Sequence, residues 1–345
     1  MRVLITGGAG FVGSNLAVSL KKKYPSYEII VFDNLRRRGS ELNIRRFQEL
    51  EINFVHGDVR HQEDLENIEF DLLIEASAEP SVLAGKDGER KYLIDTNLNG
   101  LVNCLEVSLK NKAKVIFLST SRVYPMELIN SLSYEEEEMR YSLLQNNEKG
   151  VSKNGFSDEL SLNGYRTLYG ATKLSSEYII DEYVHMFGLD AVINRSGVIA
   201  GAGQFGKVDQ GVVTLWVANY LYNKPLSIFG NGKQVRDILN VNDLFDLIDL
   251  QIHNFEQFNK KRFNIGGGLN ASTSLLELDS ICKELIGNKD VNIKPLRELD
   301  IKYYVTDNSK ISQYGWTPKR TVKETVQEIH SWLIMNKKDL KWIFA

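Results

Sequence analysis

A short glycine-rich stretch near the start of the chain most constrains what this sequence can fold into. Val3–Ile5 is an apolar run typical of a buried strand, and glycines follow it at positions 7, 10 and 13. Apolar residues then recur at helical spacing from Phe11 to Leu20. In a phosphate-binding turn Gly7 would permit the tight turn, Gly10 the approach of a pyrophosphate, and Gly13 close packing of helix on strand. By itself the motif also fits an ordinary strand-to-helix turn.

A carboxylate follows the second predicted strand, where a dinucleotide-binding fold needs one. Tyr27–Phe32 is apolar except at Glu28, and Asp33 comes next, 20 positions after Gly13. A carboxylate here accepts hydrogen bonds from ribose hydroxyls and repels a 2′-phosphate, which favours NAD over NADP. Arg36–Arg38 could hold a 2′-phosphate or could form a solvated basic loop. NADP therefore stays open as an alternative at this point.

The composition excludes several other classes of protein. The 345 residues are 43% hydrophobic with a formal net charge of −3, which suits a globular enzyme and offers no basic surface for nucleic acid. Cys104 and Cys282 lie far apart in apolar stretches, so we expect free buried thiols and no metal site. No apolar run is long enough to span a membrane, and no signal-peptide pattern precedes the first strand. We therefore expect a cytoplasmic protein.

Predicted strands and helices alternate through the first half of the chain. Asp58 follows the third strand, where a carboxylate suits an adenine amino group or a helix N-cap. The alternation predicts an α/β fold: a Rossmann-type doubly wound parallel sheet with a smaller C-terminal α/β lobe. We expect residues 1–195 to form mainly the nucleotide-binding domain and residues 196–345 mainly the substrate-binding lobe, with the chain crossing back near 236–265. The further strands are predicted at 52–56, 71–76, 114–118 and 191–194, and a long helix at 91–110.

Tyr169 and Lys173 begin a predicted helix that runs to about Phe187, and their spacing of four places both on one face. A free phenol has a pKa of about 10 and is a poor base at neutral pH. A nearby ammonium group favours the phenolate, so this pair could accept a proton from a sugar hydroxyl. Tyrosine and lysine at this spacing are also common on helix surfaces, so the catalytic interpretation depends on the glycine motif.

In this order, the glycine turn, the strand end Ser119-Thr120-Ser121 and the Tyr169/Lys173 pair resemble the extended short-chain dehydrogenase/reductase superfamily. Within it, the chain is most similar to the nucleotide-sugar epimerases, especially those of the CDP-paratose 2-epimerase (CDP-tyvelose epimerase) type, over about residues 1–337. The more specific similarities lie in Val31–Leu35, Val55–Arg60, Gln204–Phe205, Asp209–Gly211, Gly230–Asp237 and Phe263–Gly267.

The resemblance implies an NAD-dependent epimerase that inverts one carbon of a nucleotide-diphosphate hexose by transient hydride abstraction and return. Inversion at C2 of a CDP-hexose is the preferred interpretation. A C4 epimerase of a UDP-sugar, a nucleotide-sugar dehydrogenase or reductase and, more distantly, a non-catalytic nucleotide-binding regulator stay open. The resemblance also implies a homodimer or homotetramer.

The same resemblance implies the site residues. The catalytic ones are Thr120, Tyr169 and Lys173. The substrate-binding ones are Thr120, Lys207, Gln210, Arg236 and Arg297. The cofactor-binding ones are Gly7, Gly10, Phe11, Val12, Gly13, Asp33, Asn34, Asp58, Val59, Ala76, Asn97, Tyr169 and Lys173.

Several positions depart from the family pattern. Ser121 and Arg122 stand where the 4,6-dehydratases carry an Asp-Glu pair, and water elimination needs an acid and a base beside the sugar. Val198 stands where UDP-galactose epimerases usually carry asparagine, three positions after an arginine. Glu75–Glu79 replaces the common His-Leu-Ala-Ala run. Arg236 could hold a diphosphate bidentately or pair with its neighbour Asp237.

Overall fold

A computed structural model of the chain describes residues 1–81, 88–206, 210–295 and 300–344. It contains two compact units. The first comprises residues 1–123, 167–195 and 245–263, and the second comprises residues 124–166, 196–244 and 264–345.

The strands are numbered along the chain. They are β1 (Arg2–Thr6), β2 (Glu28–Asp33), β3 (Asn53–His56), β4 (Leu72–Glu75), β5 (Lys114–Thr120), β6 (Tyr134–Glu136), β7 (Tyr141–Leu143), β8 (Val151–Ser152), β9 (Gly155–Phe156), β10 (Ala191–Ser196), β11 (Val198–Ala200), β12 (Leu226–Phe229), β13 (Val235–Asn240), β14 (Lys261–Ile265), β15 (Ser272–Thr273), β16 (Val291–Lys294) and β17 (Tyr303–Tyr304).

The α-helices are numbered in the same way. They are α1 (Phe11–Lys23), α2 (Asn43–Glu49), α3 (Arg90–Ile94), α4 (Gly100–Asn111), α5 (Met126–Ser131), α6 (Leu168–Phe187), α7 (Val212–Leu221), α8 (Val241–His253), α9 (Phe255–Phe258), α10 (Leu275–Leu285), α11 (Ser309–Ser312), α12 (Val322–Met335) and α13 (Lys337–Phe344). None of these helices, within the described residues, is both long and apolar enough to cross a membrane.

A seven-stranded sheet forms the centre of the fold, in the order β14-β10-β5-β4-β1-β2-β3. The pairs β1–β2, β1–β4, β2–β3 and β4–β5 are parallel. The order reverses at β1, as in doubly wound nucleotide-binding folds, and the predicted Rossmann-type sheet is confirmed. Because helices cover both faces, the strands are apolar on both sides, and polar residues gather at their carboxyl ends. Ligands bind at that edge in such sheets.

The helix predicted at 91–110 is interrupted. Residues Asp95–Asn99 form a π-helical turn between α3 and α4. In this turn the side-chain oxygen of Asn97 accepts from the backbone N–H of Glu79 at 2.8 Å, and its Nδ2 donates to Thr172 at 3.2 Å. A π turn inserts one residue into the helix, so it can aim a side chain away from the regular helical faces. Apolar periodicity alone does not reveal this interruption.

Helix α6 has well-defined ends. The Thr167 side chain caps its N-terminus by accepting from the N–H of Gly170 at 3.2 Å, and Gly188, with a φ of 72°, is the C-cap. Its Ile180 and Val184 pack in the core of the first unit with residues of β4, β5 and α4. Tyr169 and Lys173 lie on the same face of the helix, nearer its N-terminus, and are buried as well.

The second unit contains smaller sheets. Strands β11, β13 and β15 form one, with β17 beside β13, and β12 pairs with β16. The polar segment between Met126 and Asn163 contains the hairpins β6–β7 and β8–β9. At the N-terminus of α8, the side-chain oxygen of Asn240 accepts a hydrogen bond from the backbone N–H of Asn242 at 2.8 Å. Asn240 therefore caps this helix, which begins at Val241.

Candidate active site

The glycine turn has the geometry that the sequence predicts. Gly7 has a φ of 61°, in the left-handed region that favours glycine. A Cβ at Gly13 would lie 2.5 Å from the carbonyl oxygen of Gly7, so only glycine lets α1 lie this close to the turn. Among the described residues no side chain caps α1, and its first turn carries no acid. Phe11 and Val12 are thus the first residues of an open helix N-terminus, which fits the pyrophosphate of NAD.

Asp33 and Asn43 hold this turn from the side. Asp33 accepts from the N–H of Ala9 at 3.1 Å and of Leu35 at 2.7 Å. Burial raises the pKa of Asp33, and these backbone donors oppose that rise. Asn43 donates to the carbonyl oxygen of Ala9 at 2.9 Å. No motif in the sequence points to Asn43, the first residue of α2.

Asn34 and Asp58 meet beside the end of β2. The Asn34 amide donates to Asp58 at 2.9 Å, and Arg60 pairs with the same carboxylate at 2.7 Å. Burial would raise the pKa of Asp58, but the hydrogen bonds from Arg60 and Asn34 hold it well below its ordinary value. Asp58 is therefore a charged acceptor at the predicted adenine position. Val59, the next residue, is buried, and its carbonyl accepts from Asn103 at 2.8 Å.

The basic loop after β2 is already engaged. Arg36 pairs with Glu89 at 2.9 Å, and its guanidinium lies 4.0 Å from the centre of the Tyr92 ring. Arg60 lies over the same ring at 4.8 Å. Two arginines thus share one aromatic residue beside the Asn34–Asp58 contact. In this arrangement Arg36 is a partner of Glu89 and Tyr92.

Thr120 and Tyr169 are in direct contact. Both are buried, and the Thr120 hydroxyl is close enough to the phenol to affect its pKa. Burial raises the pKa of Tyr169 to about 12, while the Thr120 hydroxyl and the charge of Arg122 lower it. The Arg122 backbone N–H donates to the Thr120 hydroxyl at 3.2 Å, which fixes that hydroxyl. The structure thus brings the predicted phenol and small hydroxyl together at the carboxyl end of β5.

Lys173 lies one turn beyond Tyr169 on α6 and is almost completely buried. Its Nζ lies 3.6 Å from Oε2 of Glu75 and 4.4 Å from the centre of the Phe117 ring. The sequence reasoning marked Glu75 as a departure from the family pattern and assigned it no role. The signal was available, because Glu75 ends a strand that is otherwise apolar.

Ala76 and Asn97 connect the end of β4 to its neighbours. The Ala76 N–H donates to the carbonyl of Thr6 at 3.2 Å, and the Ala76 carbonyl lies where a Cβ of Gly7 would come within 2.7 Å. Asn97 accepts a hydrogen bond from Ser176 of α6 at its carbonyl, at 3.1 Å. Both residues therefore border the glycine turn or the helix of Tyr169, within the first unit.

Among the other predicted substrate residues, Gln210 and Arg236 belong to the second unit. Arg236 donates to Asp300 at 2.6 Å, whereas Asp237 accepts from the N–H of Thr306 at 3.1 Å. The alternative pairing of Arg236 with Asp237 was therefore wrong, because consecutive residues of β13 point to opposite faces. Burial lowers the pKa of Arg236, and Asp300 opposes this. Gln210 is half-buried, and its side-chain oxygen accepts no hydrogen bond from the described residues.

Two further predicted substrate residues, Lys207 and Arg297, fall outside the described residues. Their predicted roles stay predictions. The described part of the predicted substrate set is thus Thr120 in the first unit and Gln210 and Arg236 in the second.

The chain is similar to known proteins over most of its length. Residues 3–266 match the NAD dependent epimerase/dehydratase family. The chain is 32% identical to CDP-paratose 2-epimerase of Salmonella typhi, over 96% of this chain and 99% of that protein. It superposes with a TM-score of 0.80 on UDP-glucose 4-epimerase of Thermotoga maritima, at 25% identity over 98% of this chain and 100% of the other.

A dehydratase has the same fold. The dTDP-glucose 4,6-dehydratase of Bacillus anthracis, solved with NAD, superposes with a TM-score of 0.79 at 26% identity, covering 99% of each chain. The predicted superfamily, NAD cofactor and epimerase class are confirmed by these matches. The chain belongs to the NAD dependent epimerase/dehydratase family.

Proposed function

We propose that this chain is an NAD-dependent epimerase that inverts C2 of a CDP-hexose, of the CDP-paratose type. The observation that carries the epimerase chemistry is that Thr120, Tyr169 and Lys173 are all buried, with Lys173 one helical turn beyond Tyr169 and the Thr120 hydroxyl lowering the pKa of the Tyr169 phenol. The similarity to CDP-paratose 2-epimerase over nearly the whole of both chains supports the choice of substrate and carbon.

The first unit offers the groups that NAD needs. The glycine turn and the open N-terminus of α1 would receive the pyrophosphate, and Asp33 would accept from the adenosine ribose. Asp58 would accept from the adenine amino group, and Lys173 would hold the nicotinamide ribose. When bound, NAD takes a hydride from the sugar carbon and later returns one to its opposite face.

Tyr169 is the proposed proton acceptor and donor. Its Oη would remove the proton of the C2 hydroxyl and give it back at the end of the turnover. Because burial raises the pKa of this phenol to about 12, it needs a nearby positive charge to act as a base at neutral pH. The Lys173 ammonium is proposed to supply that charge. The Thr120 hydroxyl would donate a hydrogen bond to the reacting sugar oxygen.

Dehydration is disfavoured for a local reason. The two residues after Thr120 are Ser121 and Arg122, so neither carries a carboxyl group. Elimination of water needs an acid and a base placed at two carbons of the sugar, and Tyr169 supplies only one such group. The dehydratase relatives therefore share the fold with this chain while this local difference separates the proposed reactions.

The direct test is to incubate the purified protein, without added NAD, with CDP-paratose and with CDP-, UDP- and GDP-hexoses. Mass spectrometry and proton NMR should show a product of unchanged mass, inverted at C2 of a CDP-hexose. Deuterium placed at C2 should slow the reaction and be retained in the product formed in ordinary water. A need for stoichiometric NAD, or loss of one water, would contradict the proposal.

The alternative outcome is inversion at C4 of a UDP-hexose. A putative UDP-glucose 4-epimerase of Methanocaldococcus jannaschii is 29% identical to this chain, so the panel must include that substrate. With deuterium at C4 instead of C2, the isotope effect would move to C4. That result would replace the C2 assignment and leave the catalytic roles of Tyr169 and Thr120 in place.

We also propose that the protein is a cytoplasmic homodimer or homotetramer. Helix α6 exposes Tyr178, Met186 and Phe187, whose side chains are 52%, 69% and 56% accessible in the single chain. Covering these exposed apolar side chains with a second copy would remove them from water. Light scattering should give at least twice the monomer mass, and Phe187→Asp should reduce it. A monomeric wild-type protein would contradict this proposal.

A further inference from the structure

A buried carboxylate with an unsatisfied oxygen ends strand β4. Glu75 is 2% exposed, and its Oε1 accepts from the backbone N–H of Ser77 at 3.1 Å and from the Ser77 hydroxyl. Within the described chain its Oε2 accepts no hydrogen bond. Burying a charged group is costly unless an opposite charge or several donors compensate it. The role of Glu75 therefore depends on which group compensates the charge at Oε2.

That partner is Lys173. Its Nζ lies 3.6 Å from Oε2, beyond a close hydrogen bond but within ion-pair distance, and Lys173 is also 2% exposed. Beneath the ammonium lies the face of Phe117, which favours a cation but accepts no proton. Each charge of this pair thus depends on the other, because neither is solvated by water.

Polar and titratable groups on α4, β1 and α6 lie around the Glu75–Lys173 pair. Helix α4 contributes Cys104, a buried thiol whose pKa is raised by burial and by Glu75, so this thiol stays neutral. Strand β1 contributes the hydroxyl of Thr6, which is opposite Glu75 in the sheet. On α6, the pKa of Tyr169 is lowered by the charge of Arg122, which follows β5, and raised by the charge of Glu79, which follows β4.

The inference rests on the proposed function of Tyr169 and Lys173. We propose that Glu75 is a positioning residue: its carboxylate keeps Lys173 charged and in place, and so sets the pH range in which Tyr169 transfers protons. Removal of this negative charge has two effects of the same sign. The buried ammonium loses its counter-ion, so it gives up its proton at lower pH. The phenolate of Tyr169 loses a nearby like charge, so it also forms at lower pH.

The pH dependence of turnover tests this directly. In Glu75→Gln, we expect both limbs of the pH–rate profile to move toward lower pH, by at least about one unit at the alkaline limb. Glu75→Asp keeps the charge and should keep both limbs close to their wild-type positions. Glu79→Gln is the matched control: this acid faces Tyr169 without pairing to Lys173, so only the acid limb should move.

A second measurement does not depend on turnover. NMR titration of protein labelled with [ζ-¹³C]tyrosine and [ε-¹³C]lysine follows both groups, and Tyr169→Phe and Lys173→Met assign their resonances. Both resonances should titrate at lower pH in Glu75→Gln than in wild type. Titration of both at the wild-type pH would overturn the inference.

Two outcomes separate this inference from the proposed function. If the wild-type protein turns over no nucleotide sugar but the resonances shift as expected, the electrostatic effect of Glu75 on Lys173 and Tyr169 stands and the proposed function fails. If the protein is an active epimerase and neither resonance nor limb shifts, the inference alone fails. Should Glu75→Gln not fold, Glu75→His carries the same test, since neutral imidazole above about pH 7 removes the charge.

Discussion

Two buried ion pairs on α6, one helical turn apart, are built differently. In the pair between Glu177 and Arg195, the Nη2 of the arginine lies 2.7 Å from the carboxylate and its Nε lies 3.0 Å from both oxygens. Ser119 and Arg262 also contact Glu177, at 2.5 and 3.1 Å. In the pair between Lys173 and Glu75, a single 3.6 Å contact joins the charges.

The difference indicates that the Glu177–Arg195 pair stabilises the fold, whereas the Glu75–Lys173 pair belongs to the candidate active site. The carboxylate of Glu177 is saturated by bidentate and additional donors, so any rearrangement would leave a buried charge unpaired. The Lys173 ammonium keeps donors unused by its long contact, so it can bind ribose hydroxyls without breaking a hydrogen bond. We expect substitutions at the saturated pair to change stability, and substitutions around the loose pair to change catalysis.

The largest expected effect is at the proton acceptor. Tyr169→Phe should lower kcat by about 10²–10⁴-fold, the usual contribution of a positioned acid–base group, while the protein still binds NAD. The matched control is Tyr178→Phe, an exposed tyrosine on the same helix. Steady-state rates and NAD content of the purified variants provide the check. Activity of Tyr169→Phe near that of wild type would remove the catalytic assignment.

The next effect tests the saturated pair. Arg195→Met should lower the free energy of unfolding by about 3–5 kcal/mol, because it leaves part of the Glu177 charge uncompensated. Urea denaturation measures this value. The pH limbs of the residual activity should stay where they are in wild type. Replacing both residues, as Glu177→Gln with Arg195→Met, should recover stability; a further loss would show that Glu177 has an independent role.

A smaller effect is expected at the hydroxyl that contacts the phenol. Thr120→Val should reduce kcat by about 10- to 100-fold, the range for a hydrogen bond to a charged group. Because this bond lowers the pKa of Tyr169, its loss should move the acid limb of the pH–rate profile to higher pH. Ser121→Ala, at the neighbouring hydroxyl, is the control and should leave the limb unchanged. An unshifted limb in Thr120→Val would contradict the contact's role.

The smallest expected change in unfolding free energy is at an exposed ion pair, which serves as a reference for the two buried pairs. Lys91 and Asp95 form an i,i+4 ion pair whose lysine side chain is largely in water. Lys91→Ala should cost at most about 0.5 kcal/mol of unfolding free energy, since solvent and salt screen such pairs. The measurement is the same urea titration. A cost approaching that of Arg195→Met would mean that burial does not explain the difference between the two pairs on α6.

Much of the fold and part of the candidate site follow from local sequence. Glycine spacing predicts the turn because a Cβ at Gly7 would come within 2.7 Å of the Ala76 carbonyl oxygen, and one at Gly13 within 2.5 Å of the Gly7 carbonyl oxygen. The spacing of four in Tyr169 and Lys173 places both on one helical face wherever the helix lies. Alternating apolar segments predict the parallel sheet, because its strands are buried on both faces. These signals act within a few residues and need no knowledge of distant partners.

Tertiary structure alone decided which distant groups meet. Glu75 is opposite Thr6 because β4 lies beside β1, and it meets Lys173 because α6 packs over that part of the sheet. Arg236 donates a hydrogen bond to Asp300 and not to the adjacent Asp237. The π turn places the Asn97 side chain within hydrogen-bond distance of Thr172. A charge in the sequence shows only that a partner is needed. Its identity depends on strand order and helix packing, which bring together residues that no local pattern relates.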